Sequence, residues 1–188
     1  RGRFGDSLIC PQFAYRLGCA LGNYLTEISF EKKSTVVIGR DTRASGVALG
    51  EALISGLNRY DVYVHDASVL PTPAVAKAVL DQHADLGIAI TASHNPSCDN
   101  GIKLFDHCAH KLDDAQETLI ESLIDTEPEP PVNLPLAKSH PLDASGSYIN
   151  YFRSLMDKDC LSGWRIVLDL ANGAAVKTTP GVFQHWGA

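Results

Sequence analysis

Ser93 stands in a run of six small or polar residues, Thr91-Ala92-Ser93-His94-Asn95-Pro96, that follows directly on the apolar stretch Leu86-Gly87-Ile88-Ala89-Ile90. A short, wholly apolar run suits a strand buried inside a parallel sheet. Pro96 biases Asn95 away from helical geometry, so Ser93 is expected on an ordered bend at a strand's carboxyl end, where open α/β sheets bind ligands. A serine hydroxyl there is a candidate nucleophile or group carrier, weak until activated; the bland alternative is a loop serine that hydrogen-bonds its own turn. Lys103 lies ten residues on, beyond Gly101, a turn that could fold the chain back beside the serine. With Ile102 and Leu104 facing inward, its ammonium can hold a phosphate or move a proton, or it is a solvated surface lysine. His94 could bind phosphate or pass a proton, and could equally brace the loop. Arg1 and Arg3, beside Gly2 and Gly5, carry planar forks suited to phosphate oxygens, although two arginines near a terminus are ordinarily a solvated tail. Arg40, Asp41 and Arg43 follow a β-branched run and fit either a substrate role or a salt-bridged structural one.

Competing chemistries fit poorly. A serine-hydrolase elbow wants G-x-S-x-G, but Thr91 and Asn95 occupy the glycine positions. Gly173, Lys177 and Thr178 lack the second glycine of a P-loop. The five cysteines, at 10, 19, 98, 108 and 160, include no C-x-x-C pair, and Cys98, His107, Cys108 and His110 do not form the two paired ligand couples usual in structural zinc sites, so reduced thiols are expected.

The elements that would position these residues alternate. Residues 11–29 read as a helix with Phe13, Leu17, Leu21, Leu25 and Ile28 in one stripe. Strands are expected at 35–38, 61–64 and 86–90, separated by a helix carrying Val47, Leu49, Leu53, Ile54 and Leu57 and by another at 73–81. That order predicts right-handed βαβ units and an α/β fold with a mixed, largely parallel sheet flanked by helices. Residues 101–105 read as a further strand. Asp113 with Gln116 marks a helix start, with Leu119, Ile120, Leu123 and Ile124 inward. Residues 126–146, rich in proline, read as an exposed connection, and we expect a first domain over 1–135 and a linker with an incomplete second α/β domain over 136–188. There a helix at 147–156 with Ile149, Phe152 and Leu155 inward, a strand at 165–170, and a turn at Ala171-Asn172-Gly173 into a helix reaching Trp186 are expected. One strand cannot bury a sheet face unaided, so this stub is expected to be mobile.

The chain of 188 residues is 45% hydrophobic and 20% charged, with net charge −6. No apolar run approaches a membrane span and no secretory pattern opens the sequence, so neither membrane nor nucleic acid is an expected partner and a cytoplasmic location is.

TASHNP with the following Asp99-Asn100-Gly101-Ile102-Lys103 resembles the phosphoserine loop of the α-D-phosphohexomutases. RGRFGD at 1–6, GRDTRASG at 39–46 and PTPAVA at 71–76 are similar to that family's other signatures, in order and spacing. The resemblance implies that Ser93 carries a phosphoryl group, gives it to a phosphosugar and recovers one from the sugar's other end. It implies Mg2+ bound through the Ser93 phosphate, a sugar 1,6-bisphosphate activator, and a catalytic neighbourhood of Ser93, Lys103, His94 and Arg1. It further places Arg3, Arg40, Arg43 and Asn95 on the substrate or phosphate side, and admits a homodimer. The residues after the first signature and after ASHNP look most like members that interconvert glucosamine 6-phosphate and glucosamine 1-phosphate. The alternatives are action on mannose or glucose phosphates, or a catalytically silent phosphosugar-binding module. The family's acidic D-x-D-x-D magnesium loop has no match here, so these residues alone are expected to be inactive.

Overall fold

The computed structural model describes residues 1–28 and 33–188. Its elements follow the predicted alternation: β1 (Gly2–Arg3), α1 (Pro11–Ile28), β2 (Thr35–Arg40), α2 (Ser45–Leu57), a 3-10 turn (Asn58–Tyr60), β3 (Tyr63–Val69), α3 (Thr72–Asp81), β4 (Leu86–Ile90), β5 (Asp99–Asn100), β6 (Ile102–Asp106), α4 (Asp114–Thr126), β7 (His140–Pro141), α5 (Ser145–Arg153) and α6 (Thr179–His185). Ser29, the last residue of the predicted first helix, lies outside the described residues.

The main sheet has the order β6-β4-β2-β3-β7, parallel except for β6, which runs antiparallel to β4. Alternation along the strands builds two cores. Val36, Ile38, Leu86, Ile88 and Ile90 meet α1, α2 and α4 on one face. Val37 and Ala89 meet α3 on the other, together with Ala74, Val75 and Val79. Both faces of β4 are therefore covered, which is why its sequence is continuously apolar. The fold class expected from the pattern is the one observed.

Asp113 closes a complete capping box with Gln116, which starts α4 at the predicted place. Ile120 and Ile124 face the core, but Leu119 is 42% exposed. On α2, Val47 is likewise half-exposed, as is Ile28 at the end of α1.

The carboxyl-terminal third differs more from the sequence reading. Residues 126–146 do not merely span solvent. Glu127 is buried and accepts hydrogen bonds from Tyr60 Oη at 2.8 Å and Asn23 Nδ2 at 3.5 Å. Asn58 brackets Lys138 through both of its amide atoms, Ser55 Oγ donates to Pro135 O, and β7 pairs with β3 as His65↔His140. The proline-rich composition hid this because the docking uses backbone groups, the Glu127 carboxylate and scattered apolar contacts, Leu134, Ala137, Leu142 and Ala144, rather than an apolar stripe. The strand predicted at 165–170 is not formed. Val167 is 95% exposed and the segment has no ladder partner, without which extended backbone gains nothing. The predicted long helix to Trp186 shrinks to α6, preceded by a turn in which Ala171 and Asn172 both adopt positive φ. Leu155, predicted inward, is exposed past the end of α5. That helix is nonetheless seated: Ser147 Oγ donates to Asp81 Oδ2 and Tyr148 packs against the α3 core.

Candidate active site

β4 ends at Ile90, and the next three residues set the site. Thr91 N donates to Gly101 O at 2.8 Å, closing the β4–β6 turn, and Thr91 Oγ1 receives Ser93 N at 3.0 Å. Ser93 itself is exposed and left-handed, with φ 59°. A non-glycine residue occupies that region at a cost and holds it only when its surroundings impose it.

What imposes it is Arg43, whose side chain is 9% exposed. Nη2 donates to Ser93 O at 2.9 Å and Asn95 O at 2.8 Å; Nη1 donates to Asp99 O at 2.9 Å and to Pro96 O. Nε is fixed by Asp41 Oδ2 at 3.0 Å, and the same oxygen accepts Thr91 Oγ1 at 2.6 Å. Asp41 Oδ1 caps Arg43 N at 3.0 Å, while Asp41 N reaches Ile90 O. The Asp-x-Arg spacing of the second signature thus ties the end of β2 to the serine loop at the end of β4. Asn95 Nδ2 donates to Asp99 Oδ2 at 3.0 Å, and fully buried Asn100 joins Ser45 Oγ to Gly101 N.

The amino-terminal arm is not a free tail. β1 pairs antiparallel with β5, Gly2 opposite Asn100 and Arg3 opposite Asp99, and Phe4 N donates to Cys98 O at 2.9 Å. Arg1 lies against Gly101, where an added Cβ would come within 2.7 Å of Arg1 Cγ. Lys103 sits on β6 opposite Ala89, so the glycine turn does fold the chain back along β4. Arg1, Lys103 and Thr72 share the rim of an open hollow of about 740 Å³ floored by Leu17, Ile120 and Ile124. Ser93 does not line it.

Of the residues selected from sequence, the loop network gathers Ser93, Asn95 and Arg43, with Arg3 opposite Asp99 in the adjoining arm, whereas Arg1 and Lys103 share the neighbouring hollow. The His94 side chain is exposed and has no hydrogen-bond partner among the described residues. Arg40 instead pairs with Asp66 on β3 at 3.2 Å. Asp41, for which the sequence leaves a substrate role and a salt-bridged one open, pairs with Arg43, and Thr91, named there only within the TASHNP run, joins it through a contact 50 residues apart in sequence. Burial raises the pKa of Cys19, Tyr60 and Tyr148 and lowers that of His65, and these groups belong to α1, the 3-10 turn, α5 and β3.

This architecture has counterparts. Residues 1–131 match the family model described as phosphoglucomutase/phosphomannomutase, alpha/beta/alpha domain I. The chain belongs to this phosphohexomutase family. A phosphoglucosamine mutase of Acinetobacter baylyi is 45% identical over 190 residues, covering all of this chain and 43% of its own length. A phosphoglucosamine mutase of Acidovorax sp. is 44% identical with 42% of its length covered. The chain therefore spans less than half of the relatives it matches. Among solved structures, a phosphoglucomutase/phosphomannomutase family protein of Burkholderia thailandensis superposes with a TM-score of 0.76 at 25% identity, covering 98% of this chain and 40% of the other. The open form of parafusin, a phosphoglucomutase from Paramecium, gives 0.81 at 20% identity and supports the phosphohexomutase fold alone.

Proposed function

We propose that the chain is the phosphoserine-bearing domain of a phosphohexomutase that interconverts glucosamine 6-phosphate and glucosamine 1-phosphate, in the cytoplasm. The observation that carries this reading is Ser93 itself, presented to solvent in a left-handed bend that five hydrogen bonds of the Arg43 guanidinium hold in place. A serine so fixed can give and regain a group with little reorganisation of its loop.

In the forward direction the Ser93 phosphoryl passes to the sugar's free hydroxyl oxygen, the Oγ–P bond breaks, and that hydroxyl's proton leaves to a base. The bisphosphorylated sugar then turns over and returns its other phosphoryl to Ser93 Oγ, regaining a proton on the vacated oxygen. Lys103 supplies charge to the phosphoryl oxygens and moves the proton, with Arg1 beside it and His94 exposed next to the serine. Arg3, opposite Asp99 in the β1–β5 pair and exposed, binds substrate phosphate in this reading. Sugar 1,6-bisphosphate recharges a dephosphorylated Ser93.

Mg2+ fits this domain only through the Ser93 phosphate: the serine is exposed, and no group of three His, Cys, Asp or Glu side chains that could hold a metal occurs among the described residues. When bound it neutralises charge on the transferring phosphoryl. The remaining metal ligands and the sugar-binding surfaces would come from outside the 188 residues, so this chain alone is expected to give background rates.

The test is made on the full-length protein. Peptide mapping should find phosphate on Ser93, and Ser93→Ala should abolish turnover of glucosamine 6-phosphate; activity near wild type would overturn the reading. The family description and the solved relatives also favour a phosphoglucomutase or phosphomannomutase, which a higher kcat/KM on glucose or mannose phosphates would establish. Absence of turnover on all three would mark a silent binding module.

A further inference from the structure

We infer that Arg43 is a positioning residue for phosphoryl transfer, acting through Ser93 rather than on the substrate; this rests on the phosphoserine reading above. Its guanidinium has no donor left over for a ligand. Nε is taken by Asp41, and the terminal nitrogens are divided among the carbonyls of Ser93, Asn95, Pro96 and Asp99. Burial to 9% exposure seals it beneath the loop. One planar fork thereby converges four carbonyls that would otherwise repel one another.

Two consequences follow for the outer face. The Ser93 carbonyl is pinned inward while Ser93 N is held by Thr91 Oγ1, so both sides of the left-handed residue are fixed and its Cα–Cβ bond, which carries the hydroxyl, has one direction. Every peptide here is trans, so a carbonyl turned toward Arg43 turns the next N–H away from it. The amides of His94 and Ser97 therefore face outward, and neither finds an acceptor among the described residues. They are donors of the kind a phosphate on Ser93 would use. Asp41 belongs to the same device, since it orients both Nε of Arg43 and the hydroxyl of Thr91.

Lysine cannot reproduce the fork: it is a point charge with three donors and no planar geometry. Arg43→Lys in the full-length protein is expected to lower kcat at least about tenfold while KM for the hexose 6-phosphate stays within about threefold, because misplacing a reacting group weakens the transition state and not ground-state binding. Amide exchange over residues 93–99 should accelerate in the same variant, and circular dichroism confirms that it is folded. Asp41→Asn, which keeps side-chain size but removes the charge on Nε, should do the same to a smaller degree, and serves if Arg43→Lys fails to fold. A raised KM with kcat unchanged would make Arg43 a substrate ligand and overturn the inference, as would unchanged kcat and exchange in both variants. If wild type shows no mutase turnover on any hexose phosphate yet exchange over 93–99 accelerates in the variants, the phosphoserine reading fails while the clamp stands.

Discussion

Gly56 on α2 is the place where a single methyl should do most damage. Its α-carbon lies so close to α1 that an added Cβ would stand 2.2 Å from Tyr15 O and 2.8 Å from Cys19 N, whereas real Cβ atoms essentially never come within 3.0 Å of another heavy atom. The contact is reciprocal: a Cβ on Gly18 would stand 2.2 Å from Leu53 O. Because the atoms met are backbone, no rotamer change relieves the clash, and the helices must separate by about 0.8 Å or more. A gap of ~0.5–1 Å forfeits a quarter to a half of the dispersion across it. The buried residues at stake include Tyr15, Cys19, Leu53 and Leu57. Overpacked cores lose ~1–3 kcal/mol, and an unrelieved backbone clash belongs at the upper end, ~3 kcal/mol. For a chain of this size each kcal/mol moves Tm by ~2–4 °C, so Gly56→Ala should lower Tm by roughly 6–12 °C. Thermal unfolding by far-ultraviolet circular dichroism measures it. Gly18→Ala should cost a similar amount, and the double variant less than the sum, since the first methyl has already parted the helices. A fall of less than about 2 °C for Gly56→Ala, or strict additivity of the pair, would refute the close-crossing argument.

Lys103→Ala in the full-length protein should lower kcat and kcat/KM together, by roughly 10²-fold or more if it moves the proton; a raised KM with intact kcat would reduce it to a substrate anchor. Burial, with Glu127 nearby, pushes the Cys19 thiol up to about 11. In a thiol titration at pH 8, exposed Cys98, Cys108 and Cys160 should therefore react quickly and Cys19 only on unfolding, so fast labelling of Cys19 in the folded protein would contradict its environment. His65 is held below the usual imidazole value, first by burial and then by His140 across the β3–β7 ladder, with Tyr63 stacked on His140 and Asp66 next in the strand. The unfolded chain then takes up a proton at higher pH than the fold, so this stability is complete above about pH 6.5 and is lost as pH falls through it. Urea midpoints from pH 7.5 to 5.5 should decline, and His65→Gln should flatten the decline; an equal slope in the variant would remove His65 from the account.

The alternation of β-branched runs with amphipathic stripes was enough to determine the layered sheet, because a strand buried on both faces must be continuously apolar and a helix beside it must carry a stripe. Leu86–Ile90 and Leu17, Leu21 and Leu25 are read correctly on that ground alone. Asp113 and Gln116 are equally local, since a capping box needs only three residues of separation. The bend at Asn95-Pro96 likewise announced an ordered loop after β4. Tertiary structure decided everything that depends on a partner distant in sequence. Residues 165–170 have strand composition and form no strand, because a ladder needs a neighbour and the described residues offer none. Residues 126–146 have linker composition and yet dock, because Asn58, Ser55 and β3 supply their hydrogen bonds. Arg43 could be read from sequence as a phosphate ligand or as a structural ion pair. Only the fold, by bringing four carbonyls from residues 93–99 within reach of one guanidinium, assigns its donors to the loop. Hydrophobic periodicity is written along the chain, whereas polar satisfaction is settled in space, where each donor takes the nearest acceptor whatever its place in sequence.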